Sequence, residues 1–287
     1  MMNKVAIVIL NYINYSDTIE CIDSIKKMRY DLAGVVVVDN CSPNESYSFL
    51  KKEYRNDEQI DVIRTKKNYG FAKGNNIGIT YARKKFSTDF VYVANGDIVF
   101  LEEDYFDKLV DAYDEKTGII GTQIYTKSWD LNVYKPYVTW PEVLNMYFRM
   151  WIVQKEKYIW LGVLPKLDES KKKNILHGCG MLFTPCFFKR YQGFYPRTFL
   201  YSEEPILYSM CLLAGIKQKY LVGAHIYHKE GQSTNTVFQN AKEVVRKHTF
   251  KSYKYVVWWS LKVHLMCKLG LIKDDEKYYI EQYVRQD

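Results

Sequence analysis

The first 125 residues alternate short apolar runs with stretches of helical periodicity, and this alternation restricts the fold more than any other feature. Residues 5–10 form an unbroken apolar run, as in a strand covered on both faces of a sheet. A helix predicted over residues 17–28 separates this run from a second one at residues 35–38. Such alternation is typical of βαβ units. The sequence therefore predicts an α/β fold with a mostly parallel central sheet flanked by helices.

The same alternation continues along the chain. Further strands are predicted at 60–65, 90–94, 118–125 and 177–183. Further helices are predicted from the 70–74 loop to residue 85, over 103–116, after residues 203–205 to about residue 214, and after 237. Asp17 and Glu20 have the spacing of a capping box at the start of the first helix. Residues 126–174 are rich in Trp, Tyr and Lys without a clear period, so an irregular, partly mobile region is expected there.

Composition excludes several classes of protein. A chain of 287 residues with 47% hydrophobic side chains can form one large domain and an appendage, and is not disordered as a whole. The six cysteines lack CxxC spacing, which favours buried, reduced thiols of a cytosolic protein over a disulfide framework or a zinc site. We find no cleavable signal pattern and no apolar stretch of about 18 residues, so a soluble or peripheral protein is expected.

The net charge of +8 and the aromatic content of 16% favour a polyanionic partner. Nucleic acid, an anionic membrane surface and a phosphorylated substrate all fit that description.

Polar side chains cluster where the predicted strands end. Residues 11–14 follow the first strand, 39–42 the second, 68–76 the third and 95–97 the fourth. Because ligands of open α/β sheets bind beyond the carboxyl ends of the strands, we expect these clusters to line one edge of the sheet.

Each cluster has a structural alternative. Asp39 can accept from the imide N–H of uracil or thymine or from ribose hydroxyls, yet alone it fits an Asx-turn or helix cap better. Asn95 and Asp97 offer oxygen ligands for Mg²⁺ or Mn²⁺, and an ordinary turn explains them equally well. The spacing of Gly70 and Gly74 matches neither a P-loop nor GxGxxG, which disfavours a Rossmann dehydrogenase.

Charged residues in the second half of the chain offer further candidates. Glu203 and Glu204 precede a helix, where one can cap the helix while the other acts as a general base. His228 can complete a metal site, although a lone histidine is more often structural.

Together these segments resemble the family 2 glycosyltransferases of the GT-A fold, specifically the bacterial rhamnosyltransferase-like and capsular-polysaccharide members. The resemblance runs from about Lys4 to Ser233. It rests on seven segments in the family's order: IVILNY at 7–12, VVVDNCS at 36–42, NYGFAKGNNIG at 68–78, NGD at 95–97, GCGMLF at 178–183, FLYSEE at 199–204 and HKEGQS at 228–233.

The resemblance implies an inverting, metal-dependent transfer of a hexosyl or rhamnosyl group in cell-surface polysaccharide synthesis. The donor would be a UDP- or dTDP-linked sugar and the acceptor a glycan or lipid-linked glycan. Asp39 would bind the donor base and Asn11 would line the nucleotide pocket. Asn75 and Asn76 would lie near the donor.

The resemblance also implies roles for the acidic residues. Asp97 matches the last Asp of the family's DxD motif and would bridge Mn²⁺ or Mg²⁺ to the diphosphate, with Asn95 in place of the first acid. Glu204 matches the Asp of the Glu-Asp motif, the usual base, with Glu203 as its alternate. His228 would be a further contact to the metal or diphosphate. The family's second Asp is Ile206 here, which leaves the base open between the two glutamates.

The implied organisation is a GT-A catalytic domain over 1–233 and a basic aromatic helical tail over 234–287. Within the domain, 1–125 would bind the nucleotide sugar and 126–233 would face the acceptor. Between 237 and 273 there are eight basic residues and one acid, Glu243, with Trp and Tyr interleaved. Such a helix can lie on the anionic inner face of the plasma membrane. Alternatively, its aromatics pack on the catalytic domain and its lysines face solvent.

Three rival functions stay open. A non-enzymatic nucleic-acid-binding protein is disfavoured because the basic residues gather in the tail and no nucleic-acid motif occurs, so no nucleic-acid partner is expected. A nucleotidyltransferase is disfavoured because residues 11–16 contain no Gly, Lys or Arg to hold a triphosphate. Asn95 leaves open a catalytically inactive member of the family.

Overall fold

In the described residues, a nine-stranded mixed sheet runs through the centre of the fold. The computed structural model describes residues 4–127, 134–155, 162–229, 241–273 and 280–284. The strands are β1 (Val5–Asn11), β2 (Gly34–Asp39), β3 (Ile60–Arg64), β4 (Phe90–Asn95), β5 (Ile98–Phe100), β6 (Thr117–Tyr125), β7 (Gly180–Phe183), β8 (Lys217–His228) and β9 (Ile280–Val284). The helices are α1 (Tyr15–Ile25), α2 (Ser46–Glu53), α3 (Gly70–Phe86), α4 (Tyr105–Asp111), α5 (Trp140–Gln154), α6 (Pro185–Phe188), α7 (Glu203–Ala214) and α8 (Ala241–Lys268).

The two halves of the sheet differ in strand direction. The order is β3-β2-β1-β4-β7-β6-β8-β5, with β9 beside β8. The first four of these strands pair in parallel, as the alternation of the first 125 residues predicts. In the other half β7 runs antiparallel to β4 and β6, while β6 and β8 are parallel. The sheet is therefore parallel on the side of the N-terminal half and mixed on the other.

Strand β1 is buried on both faces, which explains its unbroken apolar sequence. Val5, Ile7 and Ile9 join the hydrophobic cluster on one face of the sheet. Ala6 and Val8 join the cluster on the opposite face. These two clusters are the core that fixes the ends of the strands in space.

Two sequence predictions about loops are wrong. The predicted 70–74 loop is the first turn of α3, where Gly70 has φ +76 and a Cβ would lie 2.0 Å from the backbone oxygen of Phe199. The region 126–174 is not irregular throughout, because it contains the 15-residue helix α5. Aromatic residues of α5 contact α8 as well as the core. They therefore lie on more than one side of the helix, and no clear helical period is visible in the sequence.

Several helix boundaries and caps also differ from prediction. Helices α1 and α4 are shorter than the predicted 17–28 and 103–116. Asp17 and Glu20 form no capping box, because α1 begins at Tyr15 and Asp17 lies inside its first turn. Both carboxylates instead accept hydrogen bonds from the Lys229 ammonium, at 2.7 and 2.6 Å. Of the six cysteines, three are buried and three are only partly buried.

The C-terminal helix is present as predicted, as α8. Tyr253 and Val256 on its inner face belong to the hydrophobic cluster that also contains Ala6 and Val8. In the described residues no helix is long and apolar enough to cross a membrane. The last motif beyond residue 229, the predicted boundary at 233/234 and the start of the predicted tail helix at 237 lie outside the described residues.

Candidate active site

The carboxyl ends of β2, β1 and β4 lie side by side and carry most of the predicted site residues. In the strand register Asn11 is paired with Asp39, and Leu10 is paired with Asn95. We call this edge the carboxyl-end rim, formed by Asn11, Asp39 and residues 95–97. The structure thus brings together the polar clusters that follow the first, second and fourth strands.

Asp39 is enclosed by hydrogen-bond donors. Its carboxylate accepts from the Asn11 amide at 3.0 Å and from the Ser42 backbone N–H at 3.0 Å. The Arg64 Nε lies 3.6 Å from the same carboxylate. Since Asp39 is 0% exposed, its carboxylate orders the surrounding loop and faces no solvent.

Arg64 is a candidate that the sequence reasoning missed. Its guanidinium donates to the backbone oxygen of Ser42 at 2.9 Å and lies 5.3 Å from the centre of the Tyr47 ring. The side chain stays 42% exposed, so a fixed cation is presented to solvent beside Asp39. The available signal was its position at the carboxyl end of β3, next to β2 in the sheet.

Asp97 and His228 are brought into contact by pairing between β5 and β8. His228 is the register partner of Ile98, the residue after Asp97. The His228 Nε2 lies 3.2 Å from the Asp97 Oδ1. The backbone N–H of Lys229 donates to the Asp97 carbonyl at 3.0 Å, which fixes the two chain segments together. This pair is remote in sequence and adjacent in space.

The Asp97–His228 pair fits part of a divalent metal site. Two ligands at about 2.1 Å from an octahedral cation, at right angles, lie about 3 Å apart, close to the observed separation. The buried His228 Nδ1 has no hydrogen-bond partner in the described part of the chain. The described part of the chain contains no group of three His, Cys, Asp or Glu side chains able to hold a metal. A bound cation would therefore need further ligands from substrate or water.

Glu204 reaches the rim through the segment that precedes β7. The Asn95 N–H donates to the Cys179 carbonyl at 2.9 Å, and the Gly178 N–H donates to the Glu204 Oε1 at 3.3 Å. Tyr201 and Ser202 have φ values of 67° and 73°, a left-handed pair that non-glycine residues rarely adopt. This strained pair sets the direction of α7, so that the N-terminal turn of the helix faces Gly178.

The two glutamates occupy different environments. Glu203 is buried, its Oε1 has no partner in the described residues, and burial together with the Glu204 charge raises its pKa to about 8. Glu204 is partly exposed; burial also raises its pKa, while backbone N–H groups, including that of Gly178, oppose this increase. Glu204 is thus the one that faces the segment beside the rim.

His177 and Tyr134 are further neighbours that the sequence reasoning did not select. The His177 ring centre lies 5.8 Å from that of His228 and 6.4 Å from that of Tyr134. Burial, with the nearby His228, lowers the pKa of His177 to about 4, so the ring is neutral at physiological pH. The position of His177 directly before the GCGMLF segment was the available signal. These rings connect the Asp97 side of the site to the Glu204 side.

Asn75 and Asn76 do not share one environment. Asn75 is buried and donates to the Phe71 carbonyl at 3.1 Å, while its Oδ1 has no partner in the described residues. Asn76 exchanges two hydrogen bonds of 2.8 Å with the Phe194 backbone. It also lines a shallow depression of about 380 Å³ on α3, which does not include Asp39, Asp97 or Glu204. The side-chain amide of Asn76 thus holds the loop at Phe194 to α3.

Solved structures similar to this chain share its fold. Mannosyltransferase PcManGT of Pyrobaculum calidifontis, in complex with GDP-Man and Mn²⁺, aligns over 93% of this chain and 74% of its own with a TM-score of 0.55 and 13% identity. S. aureus TarS 1-349 in complex with UDP-GlcNAc aligns over 91% of this chain and 72% of its own with a TM-score of 0.54 and 15% identity. At these identities the likeness supports the GT-A fold alone.

A curated relative and a family model provide the sequence evidence. The low-salt glycan biosynthesis hexosyltransferase Agl10 of Haloferax volcanii is 26% identical over 212 residues, which are 71% of this chain and 60% of that protein's length. The chain thus spans less than two thirds of this relative. The model described as glycosyl transferase family 2 matches residues 5–183, which include β1 to β7 and the whole carboxyl-end rim. The chain belongs to glycosyl transferase family 2.

Proposed function

We propose that the protein transfers a hexosyl or rhamnosyl group from a nucleoside-diphosphate sugar to a hydroxyl of a glycan or lipid-linked glycan, with inversion at the sugar carbon. The observation that carries this proposal is the continuous set of contacts along one edge of the sheet. It runs from Asp39 to Asn11, continues from Leu10 to its register partner Asn95, and reaches Glu204 by way of the 178–179 backbone. A donor lying along this edge meets nucleoside, diphosphate and sugar sites in that order.

At the nucleoside end, Asp39 and Asn11 form the floor and Arg64 is the exposed group. Asp39 fixes the guanidinium and the 42–44 loop, and direct contact of its carboxylate with a base requires Arg64 to move aside. Arg64 can donate to base or ribose oxygens while Asp39 keeps its orientation. The Asp39 carboxylate would then contribute to binding of the nucleobase by holding Arg64 in place, as well as by its own position.

At the diphosphate, Asp97 and His228 would hold Mn²⁺ or Mg²⁺, with the Asn95 amide close by. A cation held there would neutralise charge that develops on the departing nucleoside diphosphate. Because the described residues supply fewer than three such ligands, oxygens of the donor's phosphates would be needed as further ligands. Metal and donor should therefore strengthen each other's binding reciprocally.

At the sugar, Glu204 is the proposed general base. It accepts the proton of the acceptor hydroxyl as that oxygen bonds to the sugar carbon, and the bond to the diphosphate breaks with its electron pair leaving on phosphate. Burial raises the pKa of Glu204 and so brings it closer to neutral pH, and a general base is most effective when its pKa lies near the operating pH. Glu203 is enclosed and is assigned no proton transfer.

The wider role also belongs to the proposal. The Haloferax relative is named as a glycan-biosynthesis hexosyltransferase, which supports a glycan acceptor and a hexosyl donor. The complex of one similar structure with GDP-Man adds GDP-sugars to the donors to be tested, and that of another with UDP-GlcNAc supports testing UDP-sugars. From the resemblance to capsular-polysaccharide members and the basic aromatic tail, we also propose a place in capsule synthesis at the inner membrane face.

A donor screen tests this function. The protein is incubated with UDP-, dTDP- and GDP-sugars plus Mn²⁺, Mg²⁺ or EDTA, and released nucleoside diphosphate is measured. We expect turnover with one donor class, loss in EDTA, and at least a hundredfold loss in Asp97→Ala, since a bound cation contributes several kcal/mol. Asp23→Ala, an exposed acid on α1, is the matched control. The proposal is contradicted if turnover or nucleotide binding does not depend on the metal. It is also contradicted if either one is retained in Asp97→Ala.

A further inference from the structure

Helix α8 has one face in the core and an opposite face in solvent. The inner face is buried and comprises Ser252, Tyr253, Val256, Ser260 and Val263. At 3.6 residues per turn the residues three and four apart on the other side form one line. This outer stripe of α8 consists of Lys247, Lys251, Lys254, Trp258, Lys262 and Leu265. The helix is thus fixed to the catalytic domain and presents a defined surface outward.

The outer stripe separates charge from apolar area along its length. Its first half carries three exposed lysines, and its second half carries Trp258, 53% exposed, and Leu265, 52% exposed. Leu269 and Leu271, just beyond the helix, are exposed further still at 70% and 63%. The stripe extends over roughly 27 Å at 1.5 Å per residue. Large exposed apolar side chains beside lysines are unusual for a surface that meets only water.

Helix α5 widens this surface. Tyr147 stacks on Phe250 at 5.4 Å, and Trp140 lies 6.2 Å from His264, so α5 runs antiparallel alongside α8. Phe148, the next residue, and Trp151, one turn further along α5, are exposed. Because Tyr147 meets α8 at Phe250, these two side chains lie level with the lysine half of the stripe, so both packed helices contribute apolar area to this surface.

From this composition we infer that the outer stripe of α8, with the exposed residues of α5, docks on an anionic lipid bilayer. The lysines match anionic headgroups, while Trp258 and the leucines enter the boundary between headgroups and acyl chains. Lys262 lies 5.0 Å from the centre of the Trp258 ring, so its charge can stay at headgroup level as that ring inserts. A nucleic acid would use the lysines and leave the leucines without a partner.

The inner face of α8 connects this surface to the proposed base. His248 stacks on Phe199 at 4.8 Å, and the Ser252 hydroxyl donates to the Leu200 carbonyl at 3.2 Å. Residues 199–202 lead directly into Glu203 and Glu204. Docking through α8 therefore holds Glu204 at a fixed height above the bilayer, which suits a lipid-linked acceptor; this consequence alone rests on the proposed function.

Vesicle binding of the full chain tests the inference without any sugar donor. Sedimentation with phosphatidylcholine vesicles, with and without 30% phosphatidylglycerol, gives the partition coefficient. We expect binding to the anionic vesicles only, weakened by salt. The Trp258→Ser/Leu265→Ser variant should bind about tenfold more weakly, given the apolar area removed. Leu101→Ser, at the same 52% exposure as Leu265, is the matched control and should bind normally.

The charge contribution is tested separately. Replacing Lys247, Lys251 and Lys254 with Gln should weaken partitioning about a hundredfold at low salt, because each lysine near an anionic surface adds about fivefold. The same change at three exposed lysines elsewhere is the control: Lys52, Lys66 and Lys84. Thermal unfolding and donor hydrolysis confirm that each variant is folded. The stripe variants should keep their hydrolysis rate, so loss of membrane binding and loss of catalysis are distinguishable.

Three results would overturn the docking surface. The first is equal binding to neutral and anionic vesicles. The second is unchanged partitioning in either stripe variant. The third is binding of a DNA duplex as tight as vesicle binding and indifferent to Trp258→Ser, which would assign the lysines to a nucleic acid.

Discussion

The nucleotide side and the acceptor side of the proposed site are assembled in different ways. On the nucleotide side, Asn11, Asp39 and Asn95 end three adjacent strands, so their proximity follows from the order of the sheet. On the acceptor side, Glu204 depends on a strained turn, on the Gly178 backbone and on a helix that lies almost fifty residues further along the chain. Short strand-end motifs specify the first arrangement, and long-range packing specifies the second.

This difference predicts which substitutions separate binding from chemistry. On the nucleotide side, side chains support one another within the rim, and removing one weakens donor binding. On the acceptor side a single carboxylate is proposed to move the proton, so its removal should spare donor binding. The predictions below test that separation, beginning with the largest effect.

Glu204→Gln should lower the transfer rate constant by about 10²–10⁴, the range for removal of a general base, while the Kd for nucleoside diphosphate stays unchanged. Steady-state kinetics and calorimetry with Mn²⁺ measure the two quantities. Glu203→Gln is the control of identical chemistry and should retain most of the rate. Full turnover in Glu204→Gln would move the base elsewhere.

The pH profile gives an independent check on Glu204. Burial raises its pKa above 4.5, and a base works only when deprotonated, so kcat/KM should rise with pH through a midpoint above 4.5. The residual rate of Glu204→Gln should lack this rise. A midpoint below 4.5, or the same rise in the variant, would assign the titration to another group.

Sequence reasoning reached the parallel half of the sheet and the rim because both depend on local patterns. The apolar run of β1 and the polar residues after each strand are visible within a few positions. Helix α5 was missed because its aromatics contact α8 as well as the core, so no single apolar stripe exists. The Asp17–Glu20 spacing misled because α1 begins at Tyr15, and Lys229, more than 200 residues away, binds both carboxylates. Arg64 and His177 carry no motif of their own; their positions, at a strand end and directly before GCGMLF, were the signals available, and packing shows what they contact.

Glu203→Gln should change stability in a pH-dependent direction. The folded protein keeps the Glu203 proton up to about pH 8, whereas an unfolded chain releases it near 4.5, so native stability falls as pH rises between these values. Gln does not titrate, and at pH 9 the variant should be more stable by a few kcal/mol. At pH 4.5 the two should be nearly equal. Urea unfolding at both pH values measures this; parallel pH dependences would show that Glu203 is not held neutral.

Tyr134 offers the finest test of the acceptor side. Its backbone is fixed by two hydrogen bonds to Ile175, of 2.7 and 2.8 Å, and its ring is 43% exposed beside His177. A rigid exposed ring near Glu204 is suited to stacking on the apolar face of an acceptor sugar.

Tyr134→Ala should therefore raise the acceptor KM about tenfold, which corresponds to ~1.4 kcal/mol and lies within the range for an aromatic contact. The donor KM should stay unchanged, and Tyr134→Phe should restore the acceptor KM because stacking needs the ring and not the hydroxyl. Tyr125→Ala removes a ring of similar exposure on β6 and serves as the control. Weakened donor binding in Tyr134→Ala would contradict the division of the site into a nucleotide side and an acceptor side. A ring held by the 175–178 segment would then contribute to the nucleotide side.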